Sequence, residues 1–261
     1  MFVIDQIQRR IDIDFPPKRV VSLVPSITFL LYRLGLEQEV VGLTRFCKLP
    51  KYWKKQKQVI GGTKEVNIDK IISLKPDLIL ANKEENTKEI VDDLSKIAPV
   101  YVSDIYDLET NTEFILQLGK LLDKEQQAHK LVANIAQKFS NMQALLPSHT
   151  YKTLYLIWKN PYMTVGGETF IHQMMQYAGF ENIYANYKRY PVIQDEEFIK
   201  LQPEIVLLSS EPYPFKLKNQ KEIQTIFPRA KVLLVEGEPF TWFGAYPELS
   251  MDYFINLQKT L

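Results

Sequence analysis

The 261-residue chain holds one cysteine, Cys47, so neither an intramolecular disulfide nor a paired-cysteine zinc site can form. Histidine is almost as scarce. His129, His149 and His172 lie far apart, and no HxxxH or HExxH spacing occurs, which excludes the local histidine-rich metal motifs. No charge of either sign is in excess: 32 Lys+Arg against 31 Asp+Glu leave +1. Proteins that bind nucleic acid by neutralising phosphates carry a basic excess, so no nucleic-acid partner is expected. Long apolar runs are missing too. None exceeds six residues, whereas a membrane-spanning helix needs about 20. The N-terminal MFVIDQIQRRIDIDFPPKR is charged and has no apolar h-region, so it does not read as a signal peptide. Enzyme motifs are absent as well: no GxGxxG after a strand, no GxxxxGK[ST], no GxSxG. Gly61-Gly62-Thr63-Lys64 and Gly166-Gly167-Glu168-Thr169 resemble phosphate loops only in part and read equally as plain turns. No nucleophile is paired with a base, so no catalytic residue is nominated and the chain is not expected to be an enzyme.

What is present is an ordinary globular balance, 46% hydrophobic and 24% charged, at a length suited to one large domain or two small ones. Residues 19–25, RVVSLVP, read as a buried strand. Ser26 and Thr28 then offer capping oxygens to a helix closed by Gly35. Further strands are expected at 39–43, 78–81, 99–103, 153–158, 205–209 and 231–235, with helices at 168–177 and 247–258. Leu131, Ile135, Phe139, Met142 and Leu145 repeat at three- and four-residue steps, predicting one stiff amphipathic helix from about Lys124 to Leu146, stopped by Pro147. The segments ISLKPDLIL, from Ile72, and IKLQPEIVL, from Ile199, are offset by 127 residues. The expected fold is therefore α/β, with an N-terminal lobe at 1–123, a connecting helix at 124–146 and a C-terminal lobe at 147–261. Ligands of such sheets bind beyond the carboxyl ends of the strands, which places the expected site in a cleft between the lobes.

Three runs carry a family resemblance: RVVSLVPSITFLLYRLGL, VVGLTRFCKLP, and IGGTKEVNIDKIISLKPDLILANKEEN. Together they resemble the helical-backbone (class III) substrate-binding proteins of ABC importers, which capture cobalamin, ferric siderophores or haem. Ser22 with Pro25-Ser26-x-Thr28 matches that family's first motif, Val41-Gly42-Leu43-Thr44 its loop, and Asn67-x-Asp69-x-Ile71-x-x-Leu74-x-Pro76-Asp77-Leu78 its third motif. Phe29 stands where the family usually has glutamate. The resemblance implies two Rossmann-like lobes joined by a single long backbone helix, no intrinsic cofactor, and a metal-chelate ligand (cobalamin, haem or ferric siderophore). It also implies a monomer that docks on an ABC permease dimer. Such a protein is periplasmic or otherwise extracytoplasmic if a leader has been removed. A chain that never carried one fits the alternative, a cytoplasmic corrinoid- or metal-chelate-binding protein for storage, sensing or cofactor handling.

Residues just past strand ends are the candidate ligand contacts: Ser26, Arg45, Phe46, Thr63, Asn82, Lys83, Trp158, Tyr162, Arg189, Tyr190, Trp242 and Phe243. Aromatic faces suit a flat macrocycle, and the arginines suit ligand carboxylates. The family's cobalamin binders can sandwich the corrin with aromatics at the positions matching Thr63 and Asn82, which are polar here. Cys47 reads either as a small buried hydrophobe or as a metal ligand. By the resemblance, Asp69 in the first lobe and Glu248 in the second are the acids that dock the permease. Helix capping is the plainer role for both.

Overall fold

The computed structural model describes residues 1–143 and 149–261. The chain divides into two compact units. The first comprises Met1–Ile105, Glu109–Ile135 and Phe243–Tyr246; the second comprises Tyr106–Leu108, Ala136–Trp242 and Pro247–Leu261.

Unit 1 opens with an antiparallel hairpin, β1 (Phe2–Ile4) and β2 (Arg10–Asp12). Its turn is built on the buried Asp5 carboxylate, which accepts from the backbone N–H groups of Ile7, Arg9 and Val102 and from the Arg9 side chain. Then follow β3 (Val20–Ser22), α1 (Pro25–Arg33), β4 (Val40–Leu43), α2 (Trp53–Gln56), β5 (Gln58–Val59), α3 (Ile68–Ser73), β6 (Leu78–Asn82), α4 (Lys88–Leu94), β7 (Val100–Ser103) and α5 (Leu108–Leu121). The sheet is parallel throughout, in the order β5-β4-β3-β6-β7. Strands covered on both faces need unbroken apolar runs, and every residue of β3 and β6 is buried.

Pro25, not a hydroxyl residue, starts α1: it takes the first helical turn, Val24 is the cap residue, and no side chain caps the end. Ser26 and Thr28, expected as caps, lie buried inside that turn. Thr28 Oγ1 donates to Ser22 Oγ at 2.9 Å, tying the helix to the end of β3. Gly35 closes the helix at φ +82°, a left-handed conformation that glycine takes without strain.

The helical stretch after β7 is two helices, since Asp123 turns the chain at φ +55° before α6 (Glu125–Gln143). Ala128, Leu131, Ile135, Phe139 and Met142 are buried, which is the stripe the periodicity predicts. Leu145, Leu146 and Pro147, where the sequence pattern ends the helix, lie outside the described residues. The division between the two units falls inside α6, after Ile135.

Unit 2 continues with β8 (Tyr151–Leu156), α7 (Phe170–Tyr177), β9 (Phe180–Asn182), α8 (Asp195–Phe198), β10 (Ile205–Ser209), α9 (Leu217–Ile226), β11 (Lys231–Val235), α10 (Glu238–Thr241) and α11 (Pro247–Gln258). Its parallel sheet runs β9-β8-β10-β11 around a core that includes Leu154, Val206, Leu208, Phe198, Ile223 and Phe227. This order repeats β4-β3-β6-β7 of unit 1. The repeat extends to side chains. Asp77 accepts from the backbone N–H groups of Lys18 and Arg19 at the entry to β3, and Glu204 accepts from that of Lys152 at the entry to β8. These two acids are the ones that end the KPD and QPE turns, so the 127-residue repeat is a repeat of structure.

Candidate functional site

In each sheet the first strand connects outward to one side and the chain later returns on the other. The crevice at that reversal, beyond the carboxyl ends, is where open α/β sheets take ligands. In unit 1 it lies at the ends of β3 and β6, in unit 2 at those of β8 and β10.

Unit 1 brings Arg45, Phe46, Thr63, Asn82 and Lys83 onto neighbouring loops at this end. The Arg45 N–H donates to Gly61 O at 2.7 Å, joining the β4 and β5 loops. Asn86 Nδ2 donates to Thr63 O at 2.7 Å, joining the β5 and β6 loops. Lys83 pairs with Asp104 after β7 at 2.5 Å. The Arg45 guanidinium lies 5.1 Å from the centre of the Phe46 ring, and Phe46 is 50% exposed. Gly62 leaves room for that stack: a Cβ there would come within 3.1 Å of both side chains. The result is an exposed cation beside an aromatic face, suited to a flat ligand bearing carboxylates.

Three candidates of unit 1 are built into the loops and do not project from them. Asn82 is buried, and its amide is committed: Oδ1 accepts from the Glu84 and Glu85 N–H groups, while Nδ2 donates to Ser103. It shapes the turn after β6. Ser26 is buried in the first turn of α1. Of the two readings of Cys47, the structure fits the buried one: its thiol donates to Thr28 Oγ1 at 3.1 Å, lies 3.4 Å from Thr44 Oγ1, and is pushed up in pKa by burial. A thiol held protonated among hydroxyls is no thiolate ligand. Among the described residues no three His, Cys, Asp or Glu are grouped to hold a metal ion, and no helix is long and apolar enough to cross a membrane.

In unit 2 the segment after β8 pairs with the segment after β9. Met163 bridges to Trp158 and to Val192, while the Gly166 and Gly167 N–H groups donate to Arg189 O and Tyr187 O at 2.7 and 2.9 Å. This places Trp158, Tyr162, Arg189 and Tyr190 on adjoining backbone. Trp158 is 40% exposed and meets Tyr213 edge-on. Tyr162 instead stacks on the buried Phe198 at 4.3 Å and bonds Glu222, a packing role.

Trp242 and Phe243 are corrected more sharply, since each is only 6% exposed. Trp242 follows α10, and its Nε1 donates to Glu211 Oε1 at 3.1 Å; Phe243 packs edge-on against Phe114. Neither presents a free aromatic face. Of the docking candidates, Asp69 is exposed in the first turn of α3, where Asn67 does the capping. Glu248 is half-buried and its Oε2 is buried, which does not suit an acid that must meet a partner's arginine.

One pair beside the unit 2 loops, Lys159 and Glu222, has no local sequence signal because 63 residues separate its members. The ammonium lies 2.5 Å from Glu222 Oε2 and is mostly buried. It holds the Glu222 carboxyl below the usual carboxylate range. A depressed acid stabilises the fold above its unfolded pKa and loses that contribution as pH falls through the folded value. Glu222→Gln should therefore cost about 1–2 kcal/mol at pH 7, discounted from a fully buried pair because Glu222 is partly solvated. Urea midpoints of the two proteins should converge below about pH 4. A gap that persists at pH 3 would remove the ion pair as its cause.

Comparisons with known proteins bear on the family and the fold. A model of the periplasmic binding protein family matches residues 20–229. A vitamin B12-binding protein of Photorhabdus laumondii subsp. laumondii is 30% identical over 234 residues, covering 87% of this chain and 82% of that one. The solved periplasmic vitamin B12 binding protein BtuF of Vibrio cholerae superposes with a TM-score of 0.80 at 20% identity, covering 95% and 98% of the two chains. The periplasmic heme-binding protein RhuT of Roseiflexus sp. RS-1 gives 0.79 at 18% identity, over 93% and 98%.

Proposed function

The chain belongs to the periplasmic binding protein family, and from that premise we propose that it is the substrate-binding component of an ABC importer for a cobalamin, haem or ferric-siderophore chelate. Members of this family bind and deliver; they are not enzymes. The observation that carries the reading is the family match over residues 20–229, which spans the parallel sheet of unit 1 and all of the unit 2 sheet except its last strand, β11. Arg45, Phe46, Thr63 and Lys83 from unit 1 and Trp158, Arg189 and Tyr190 from unit 2 are the proposed contacts. The Arg45–Phe46 stack and the polar Thr63 favour a chelate bearing carboxylates over an uncharged corrin face. The protein works outside the cytoplasm, in keeping with its family; no observation favours the cytoplasmic chelate-handling alternative.

Delivery needs a permease, and the repeat points to the docking acids. Asp69 holds the second position of α3, and the 127-residue offset carries it onto Glu196, the second position of α8. Both are exposed. Glu196 therefore replaces Glu248 as the partner of Asp69. A monomer with one such acid in each unit has what a two-fold permease can engage.

A thermal-shift titration with cyanocobalamin, haemin and a ferric siderophore tests the reading. A ligand at a hundred times its Kd adds about 2.7 kcal/mol to the native state. For a chain of this size that is a rise of roughly 5–10 °C in Tm. No rise with any of the three would sink the assignment.

A further inference from the structure

The two repeat-related helices share an apolar feature that neither core explains. On α3, Ile71 is fully buried while Ile72 is 49% exposed. At the end of α8, Phe198 is buried while Ile199 is 65% exposed. The same 127-residue offset relates both pairs. Each exposed isoleucine stands three residues after the exposed acid, Asp69 before Ile72 and Glu196 before Ile199, and residues so spaced share a helix face.

A lone isoleucine in water is ordinary and needs no explanation. Two at equivalent positions, each beside the same charge, are a different matter. The core contacts of both helices are already made by Ile71 and Phe198. A β-branched side chain also gains nothing from an exposed helical position, since it lowers helix propensity.

This inference rests on the importer reading above. We propose that Ile72 and Ile199 form the apolar half of the permease-docking surface. Each unit presents one acid and one isoleucine on a helix face, and the partner that fits is a two-fold symmetric membrane permease. Each of its halves would offer a basic side chain beside an apolar patch. The charges steer encounter and set orientation, while the isoleucines lose their water on contact and hold the complex.

The experiment measures binding of the full chain to the purified permease of the same organism, in detergent, across a salt series. Ile72→Gln with Ile199→Gln should weaken the complex roughly a hundredfold, about tenfold per site, mostly through faster dissociation. Its salt dependence should stay. Asp69→Lys with Glu196→Lys should abolish the complex. Neither double variant should alter the rise in Tm with cyanocobalamin, haemin or the ferric siderophore, because all four residues are exposed. The charge reversal should lower the starting Tm slightly, since it puts cations in the first turns of α3 and α8. If the charge reversal abolishes docking and the isoleucine pair changes nothing, this inference falls and the acid docking stands. If neither pair matters, both fall.

Discussion

Gly167→Ala is expected to destabilise the protein by about 3 kcal/mol and to abolish ligand binding with it. A Cβ at Gly167 would lie 2.1 Å from Ala185 O, and one at Gly166 would lie 2.2 Å from Tyr187 O. These obstacles are backbone atoms, so no rotamer change relieves them. Nor can the segment back away easily. The two glycine N–H groups are bonded to Arg189 O and Tyr187 O, Thr169 Oγ1 donates to Gly166 O, and Asn182 Nδ2 donates to Val165 O. Relief must come from the opposing segment, which carries Arg189 and Tyr190. Stability and binding should therefore be lost together, read by urea unfolding and by the thermal-shift response to the three ligands. Gly35→Ala is the reference. Gly35 is left-handed at φ +82°, as Gly167 is not, but nothing lies within 4 Å of its missing Cβ. Gly35→Ala should therefore cost only about 1 kcal/mol, from the backbone conformation alone, and leave binding intact. Equal costs at Gly35 and Gly167 would mean that the close approach of the two segments is not what constrains this site.

The parts of the fold legible in the sequence are those set by local physics. β3, β6 and β10 are buried throughout, so they must be short unbroken apolar runs, and each stands out as one. α6 shows its stripe because helical period and burial coincide. The β1–β2 hairpin is invisible for the opposite reason: its strands are three residues long, and its turn depends on Asp5 reaching Val102, 97 residues away. The site divides along the same line. Arg45, Phe46, Thr63 and Lys83 come together because strand ends of a parallel sheet share one edge, which alternation alone implies. Asn82 occupies such an end too, yet its amide bonds to residues 84 and 85, the local turn habit of asparagine. That habit is written in the Asn-Lys-Glu-Glu spacing. Glu196 was equally within reach, since the offset that links the two strand motifs also links it to Asp69. Lys159 and Glu222 left no trace, because nothing local requires either charge.

Trp242→Ala should act on the fold before it acts on any ligand. At 6% exposure the indole is a core side chain, and truncating a buried tryptophan costs about 3–5 kcal/mol from lost burial and the cavity left behind. Its Nε1 also donates to Glu211 Oε1, to which Thr241 Oγ1 donates at 2.8 Å. Around that carboxylate the packing is close: a Cβ on Gly237 would lie 2.4 Å from Glu211 Cγ. The loop after β10 and the helix α10 are thus held to each other through Glu211, and the indole is part of that junction. Trp242→Phe separates the two contributions. It keeps an aromatic ring and loses the N–H bond, so it should cost about 1–2 kcal/mol. Urea unfolding of the two variants measures the difference directly. The same proteins, titrated with cyanocobalamin, haemin and the ferric siderophore below their unfolding range, decide the role. If Trp242→Ala kept full stability and lost only ligand affinity, the indole would be a ligand contact and not a core side chain.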